Sequence, residues 1–159
     1  VRAPDYVVTD FAAVETDPAG RPSRVLKAEQ LRQFVDEDLA ELDRPRLTVN
    51  RSDGPPWESQ SERGLLLAGG SEVRLFESVT IERAAGAETR PVHLVTAELA
   101  IWPERQYAQG DRPVRIDSAG DWLTAAGVRL WYETPARVEF PGRAHIMWSP
   151  EPRSGRAGP

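Results

Sequence analysis

The side chains able to do chemistry are few and scattered. His93 and His145 are the two histidines among 159 residues. Each sits in a strand-like run, PVHLVT and RAHI, among apolar neighbours. A metal centre needs several converging ligands, and neither an HxH nor an HExxH spacing occurs. Both histidines therefore read as strand residues on a polar face. Chain order does not decide against a Ser-His-Asp arrangement, yet no GxSxG elbow supports one. Cysteine is absent, which removes thiolate nucleophiles, disulfides and cysteine zinc sites together. The run Asp36-Glu37-Asp38 lacks the spacing of a calcium loop and the glutamate that closes one; it reads as a solvated turn. Gly69-Gly70 could cradle a phosphate only ahead of a helix N-terminus, and a strand pattern follows it instead. The sequence thus predicts no enzyme, metal or cofactor. Trp57, Trp102, Trp122 and Trp131 could form a carbohydrate platform, but they fall in different segments, which suits burial at sheet ends.

Composition narrows the class further. The chain carries 20 basic and 25 acidic residues, a net charge of -5, which argues against nucleic acid as a partner. Lys27 is the single lysine, so the basic residues are almost all arginine. No run approaches the 18 or so apolar residues of a membrane span. The first residue is Val and no signal-peptide pattern follows, which reads as a processed or truncated chain.

The elements that position these residues follow a period of two. Val73-Arg74-Leu75, Val79-Thr80-Ile81, Leu99-Ala100-Ile101, Val114-Arg115-Ile116 and Val128-Arg129-Leu130 alternate apolar with polar, as half-buried strands do. Turn formers separate them: Gly69-Gly70-Ser71, Gly86, Gly110-Asp111 and Ser118-Ala119-Gly120-Asp121. The 14 prolines and 12 glycines fit an all-β chain. Three stretches repeat one another: SERGLLLAGGSEVRLFESVTI from residue 61, TAELAIWPERQYAQGDRPVRI from 96 and TAAGVRLWYETPARVEFPGRAHI from 124. Leu31, Leu65, Leu99 and Val128 open successive units in steps of 34, 34 and 29. Such a unit cannot bury its apolar face alone and stacks on its neighbours. Residues 24–42 conflict: apolar positions 28, 31, 35, 39 and 42 suit a helix. Lys27-Ala28-Glu29-Gln30-Leu31 nevertheless matches the openings of the other units, and we read the segment as another strand-turn-strand rung.

From Asp5 to Ile146 the chain resembles the LptC family of lipopolysaccharide export proteins. The residues that carry the resemblance are Thr16-Asp17-Pro18-Ala19-Gly20, Leu26-Lys27-Ala28-Glu29-Gln30-Leu31 with Phe34, Leu42 with Pro45-Arg46-Leu47-Thr48, Pro56-Trp57, Ser61-Glu62-Arg63-Gly64 and Thr96-Ala97-Glu98-Leu99. Two departures are Phe34, where a tyrosine is common, and Ala126-Gly127, where Gly-x-Gly is frequent. The resemblance implies a twisted, open β-jellyroll of many short antiparallel strands in two sheets, covering residues 1–148, with 149–159 as a disordered tail. It implies a periplasmic location and an inner-membrane anchor, a single helix absent from this chain. It also implies transfer of lipopolysaccharide from the transporter complex of LptB, LptF and LptG to the periplasmic bridge protein LptA.

Under that reading one strand parity lines a lipid groove: Val73, Leu75, Val79, Ile81, Leu99, Ile101, Val114, Ile116, Val128, Leu130, Val138 and Phe140. The net acidity suits a protein that holds acyl chains and leaves phosphates in solvent. Docking to LptA falls to the C-terminal edge, with Val138, Phe140, Ala144 and Ile146, and docking to the transporter to the N-terminal edge, with Tyr6, Val8 and Phe11. Gly20 and Gly127 are expected in turns, Gly127 with a positive φ. Two other readings are a carbohydrate-binding β-sandwich and a purely structural bridge segment that holds no lipid.

Overall fold

The structure, a computed structural model, describes residues 3–51, 54–87, 89–133 and 136–147. The expected tail at 149–159 lies outside the described residues. Among the described residues there are 14 strands: β1 (Tyr6–Thr16), β2 (Pro22–Phe34), β3 (Leu39–Asp43), β4 (Arg46–Arg51), β5 (Gly54–Gln60), β6 (Arg63–Leu67) and β7 (Glu72–Arg83). Then follow β8 (Val92–Trp102), β9 (Tyr107–Gly110), β10 (Val114–Ser118), β11 (Asp121–Ala125), β12 (Val128–Trp131), β13 (Arg137–Glu139) and β14 (Ala144–Met147).

The expected rungs are antiparallel hairpins. Single turns of 3-10 helix at Val35–Glu37, Ala68–Gly70 and Pro103–Arg105 join β2 to β3, β6 to β7 and β8 to β9. Asp38 and Gln106 close two of these turns in the left-handed region, and their N–H groups donate to the carbonyls of Val35 and Pro103. Residues 24–42 are therefore strand, turn and strand. Their helical periodicity loses because Leu26, Ala28 and Leu31 bury against neighbouring strands, and tertiary packing overrides a weak local preference.

Four long strands build two layers. The C-terminal half of β2 pairs with β3, and its N-terminal half with β4. Likewise β7 pairs with β6 through Glu72–Phe76 and with β5 through Thr80–Arg83. β8 pairs with β9 through its last residues and with β10 through its first. β1 follows β2 along its whole length. One layer thus runs β1-β2-β3-β6-β7-β8-β9-β12-β13, and the other β1-β2-β4-β5-β7-β8-β10-β11-β14. The crossing points carry backbone kinks: Asp10 in β1 has φ 56, and Glu77 and Ser78 in β7 have φ 67 and 60. Opposite Glu77-Ser78 the register with β8 shifts by one, a bulge that bends the strand out of one layer into the other. Residues of both layers form one core in which Leu75 and Val79 are completely buried, each worth about 1.5–3 kcal/mol.

Gly20 adopts φ +85 in the turn before β2. Gly127 does not have the positive φ expected of it. A Cβ there would lie 2.8 Å from the carbonyl oxygen of Gly110. Glycine is required because β12 enters against the β9 backbone, not because the chain turns left-handed.

Candidate functional site

The candidate site is the inner face shared by the two layers. Alternation in each strand sends one parity inward. Val73, Leu75, Val79, Ile81, Leu99, Ile101, Val114, Val128 and Leu130 are all buried there. Ile116 and Phe140 are half-buried and pack against that core. Val138, opposite Leu130 on the same parity, is 41% exposed. β13 pairs only with β12, so no strand beyond it covers the inner face.

The middle of the interior is closed. A cavity of about 20 Å³ lies between Leu47, Val49, Trp57 and Ile81 on one layer and Ile101, Ala108, Leu130 and Tyr132 on the other. That is room for about one water molecule. A lateral cleft of about 440 Å³ opens between the layers beside the turn at Ala68–Gly70, lined by Ala13, Leu26, Leu47, Leu66, Val73 and Pro103 among others. Leu47 lines both spaces and separates the cleft from the cavity.

At both ends the inner face is uncovered. β14 pairs with β11 alone, with Ile146 opposite Leu123 and Ala144 opposite Ala125. Ile146 is 68% exposed, and Ala144 is also exposed. At the other end β1 pairs with β2 alone. Val8 lies opposite Leu31 and Phe11 opposite Ala28, so both face the core against which they pack. Tyr6 is exposed. Among the described residues, β1, β13 and β14 each keep one edge unpaired. Unpaired N–H and C=O groups on such an edge can template another strand.

Charge enters the interior at one rim, which the sequence reading missed. Arg24, Leu26 and Ala28 share one parity of β2, and Val79, Ile81 and Arg83 share one parity of β7, so both arginines turn inward. The Arg83 guanidinium lies 4.6 Å from the centre of the buried Trp57 ring. Arg51, at the end of β4, donates through Nη1 to the Tyr132 carbonyl. Arg24 is ion-paired with Glu15. Burial pushes the Tyr132 phenol up to about 12, against the pull of Arg24 and Arg51. Burial and then the like charge of Arg51 hold Arg83 below the ordinary guanidinium value. The signal was present as an arginine at an inward parity, but a charge at a strand end is ordinarily read as solvated.

His93 accepts or donates at Nδ1 with Glu82 Oε2 at 2.8 Å on the surface, and His145 is exposed on β14. No cluster of metal-ligating residues exists among the described residues. Of the tryptophans Trp57, Trp102, Trp122 and Trp131, Trp102 and Trp131 are brought together through Tyr107, at ring distances of 5.7 and 5.0 Å. Trp57 and Trp122 lie elsewhere, under Arg83 and Arg115. Arg105 and Arg137 lie over rings of the Trp102-Tyr107-Trp131 ladder, occupying faces that a sugar would need.

Two layers folded from shared bent strands, closed at the centre and bare at both ends, define an LptA-like jellyroll. A solved structure of this class is "LptH, the LptA homologous periplasmic component of the conserved lipopolysaccharide transport device from Pseudomonas aeruginosa". It matches 80% of this chain and 95% of its own, at 8% identity and a TM-score of 0.64, a likeness of fold. Residues 1–135 match the family described as "Lipopolysaccharide-assembly, LptC-related". The chain belongs to that family, and its role lies in lipopolysaccharide transport. No curated protein matches the chain. No helix among the described residues is long and apolar enough to cross a membrane.

Proposed function

We propose that this domain works in the periplasm as a relay. It takes the acyl chains of lipopolysaccharide between its two layers and passes them from the inner-membrane transporter to LptA. The observation that carries this reading is the single apolar inner face running from Val8 and Phe11, through the closed core, to Val138 and Ile146. Each buried methylene of an acyl chain gains about 0.8 kcal/mol on leaving water. A cavity of about 20 Å³ cannot hold such a chain, so loading parts the layers, and the lateral cleft beside Leu47 is where they already diverge. The strain of parting favours release, which a relay needs. The edge of β1 takes the donor, and the edges of β13 and β14 take LptA by strand addition.

The test is photo-crosslinking with lipopolysaccharide present. A photoreactive residue at Ile101 or Leu130 should capture lipid, and one at the exposed Arg115 should not. Equal capture at all three positions would sink the interior route, and capture at none would leave a structural bridge. For the edges, a chain ending at residue 136 should lose LptA in a pull-down yet keep a cooperative melt. LptA capture by that folded, shortened chain would refute the docking assignment.

A further inference from the structure

The central cavity has a mostly apolar wall and two hydroxyl-bearing residues. Leu47, Val49, Ile101 and Leu130 are part of that wall, and Ser59 and Tyr132 bring the hydroxyls. Tyr132 is 5% exposed, and its Oη is buried with no hydrogen-bond partner among the described residues. Buried polar groups are almost always satisfied, and each exception calls for a reason. The backbone holds the ring at this place: the Tyr132 N–H donates to the Gln106 carbonyl, and the Tyr132 carbonyl accepts from Arg51 Nη1. Phenylalanine would fill the same space without leaving a hydroxyl unpaired. Thr80, Arg83 and Thr89 also carry a buried atom without a partner, but none of them lines this cavity.

We infer that Tyr132 Oη is the hydrogen-bond partner of a hydroxyl on the transported acyl chain, close to the end of the chain that joins the headgroup. A hydroxyl suits a phenol because each can both donate and accept. The Tyr132 phenol stays protonated at neutral pH, since burial pushes it up to about 12. Its position selects the near end of the chain. The charges of Arg24 and Arg51 reach the phenol, and Arg24 also lines the lateral cleft, where it is paired with Glu15. Leu47 separates that cleft from the cavity. A chain entering from the cleft past Leu47 keeps its polar end near Arg24 and brings its first carbons to Tyr132. The ligand class is therefore an acyl chain hydroxylated near its headgroup, with its tail running on between Ile101 and Leu130.

The inference rests on the proposed lipid relay, and the experiment separates the two. Myristic acid, β-hydroxymyristic acid and myristic acid hydroxylated beside its terminal methyl each compete with a fluorescent fatty acid bound to the whole domain. The wild-type protein should bind the β-hydroxylated chain about three- to ten-fold tighter than the plain one, the scale of one net hydrogen bond. The chain hydroxylated at its far end should gain nothing. Tyr132→Phe should bring the ratio of β-hydroxylated to plain chain to one. Having lost an unpaired hydroxyl, it should also melt no lower than the wild type at neutral pH. Equal binding of the plain and β-hydroxylated chains by the wild-type protein overturns the hydroxyl site and leaves the relay standing, as does an undiminished ratio in Tyr132→Phe. An equal gain from the far-end hydroxyl overturns the near-end assignment. A lower melting temperature for Tyr132→Phe would show the phenol satisfied in the free protein and overturns the site as well. Binding of no chain at all overturns the site and the relay together.

Discussion

Gly127→Ala isolates one steric contact. The added methyl would stand 2.8 Å from the Gly110 carbonyl oxygen, well inside ordinary van der Waals separation. Gly110 cannot simply retreat, because its own Cα side faces the Glu98 carbonyl, where a Cβ would lie at 3.0 Å. It also pairs with Val128 in the β9–β12 ladder. Relief therefore requires β12 to move off β9, an overpacking cost of about 1–3 kcal/mol. For a domain near this size that lowers Tm by roughly 2–12 °C, read by far-ultraviolet circular dichroism melts. Gly127→Arg should cost more. Gly20 supplies the contrast: its φ of +85 is strained for any other residue, but nothing lies within 4 Å of the added Cβ. Asparagine tolerates that backbone, so Gly20→Asn should melt above Gly20→Ala. At Gly127 the order should reverse, because asparagine is larger and no dihedral needs relief. A Gly127→Ala protein that melts with the wild type would refute the close-approach argument.

Two further outcomes follow from titrating groups. Arg32 grips Asp43 with Nη1–Oδ2 at 2.9 Å and Nη2–Oδ1 at 3.0 Å, and the hydrogen bond to Arg32 holds the Asp43 carboxyl below its ordinary value. A depressed carboxyl contributes stability above the unfolded pKa of about 3.9 and loses it as pH falls through the lower folded value. Asp43→Asn should therefore cost about 0.5–1 kcal/mol at pH 7, the upper range for an exposed pair. The gap to wild type should close in acid, and a constant gap in denaturant melts across that range would contradict the pairing. In alkali the sign is opposite: Tyr132 ionises near 12 when folded and at its ordinary 10.0 when unfolded. Stability should then fall as pH rises above the lower value, and the late phenolate absorbance step should vanish in Tyr132→Phe.

The alternation of Val73-Arg74-Leu75 or Leu99-Ala100-Ile101 was enough to assign strands and their buried parity, because a pleated backbone allows a side chain only two faces. The repeat of turn and strand after Leu31, Leu65 and Leu99 placed the hairpins for the same local reason, even where residues 24–42 carried a competing helical period. Local sequence does not say where a long strand changes layer. That depends on the bulge at Glu77-Ser78 and on which neighbours each half of β2, β7 and β8 finds. Nor does parity say whether an inward position is covered: Leu130 and Val138 lie opposite each other, yet one is buried and the other exposed because β13 ends its layer. Gly127 was legible as a special position, but its reason, a carbonyl 2.8 Å from the absent Cβ, belongs to β9, which lies earlier in the chain. Tyr132 was invisible for the same cause: it follows β12, and only the folding of one layer onto the other buries its hydroxyl in a cavity shared with Leu47, Val49 and Trp57.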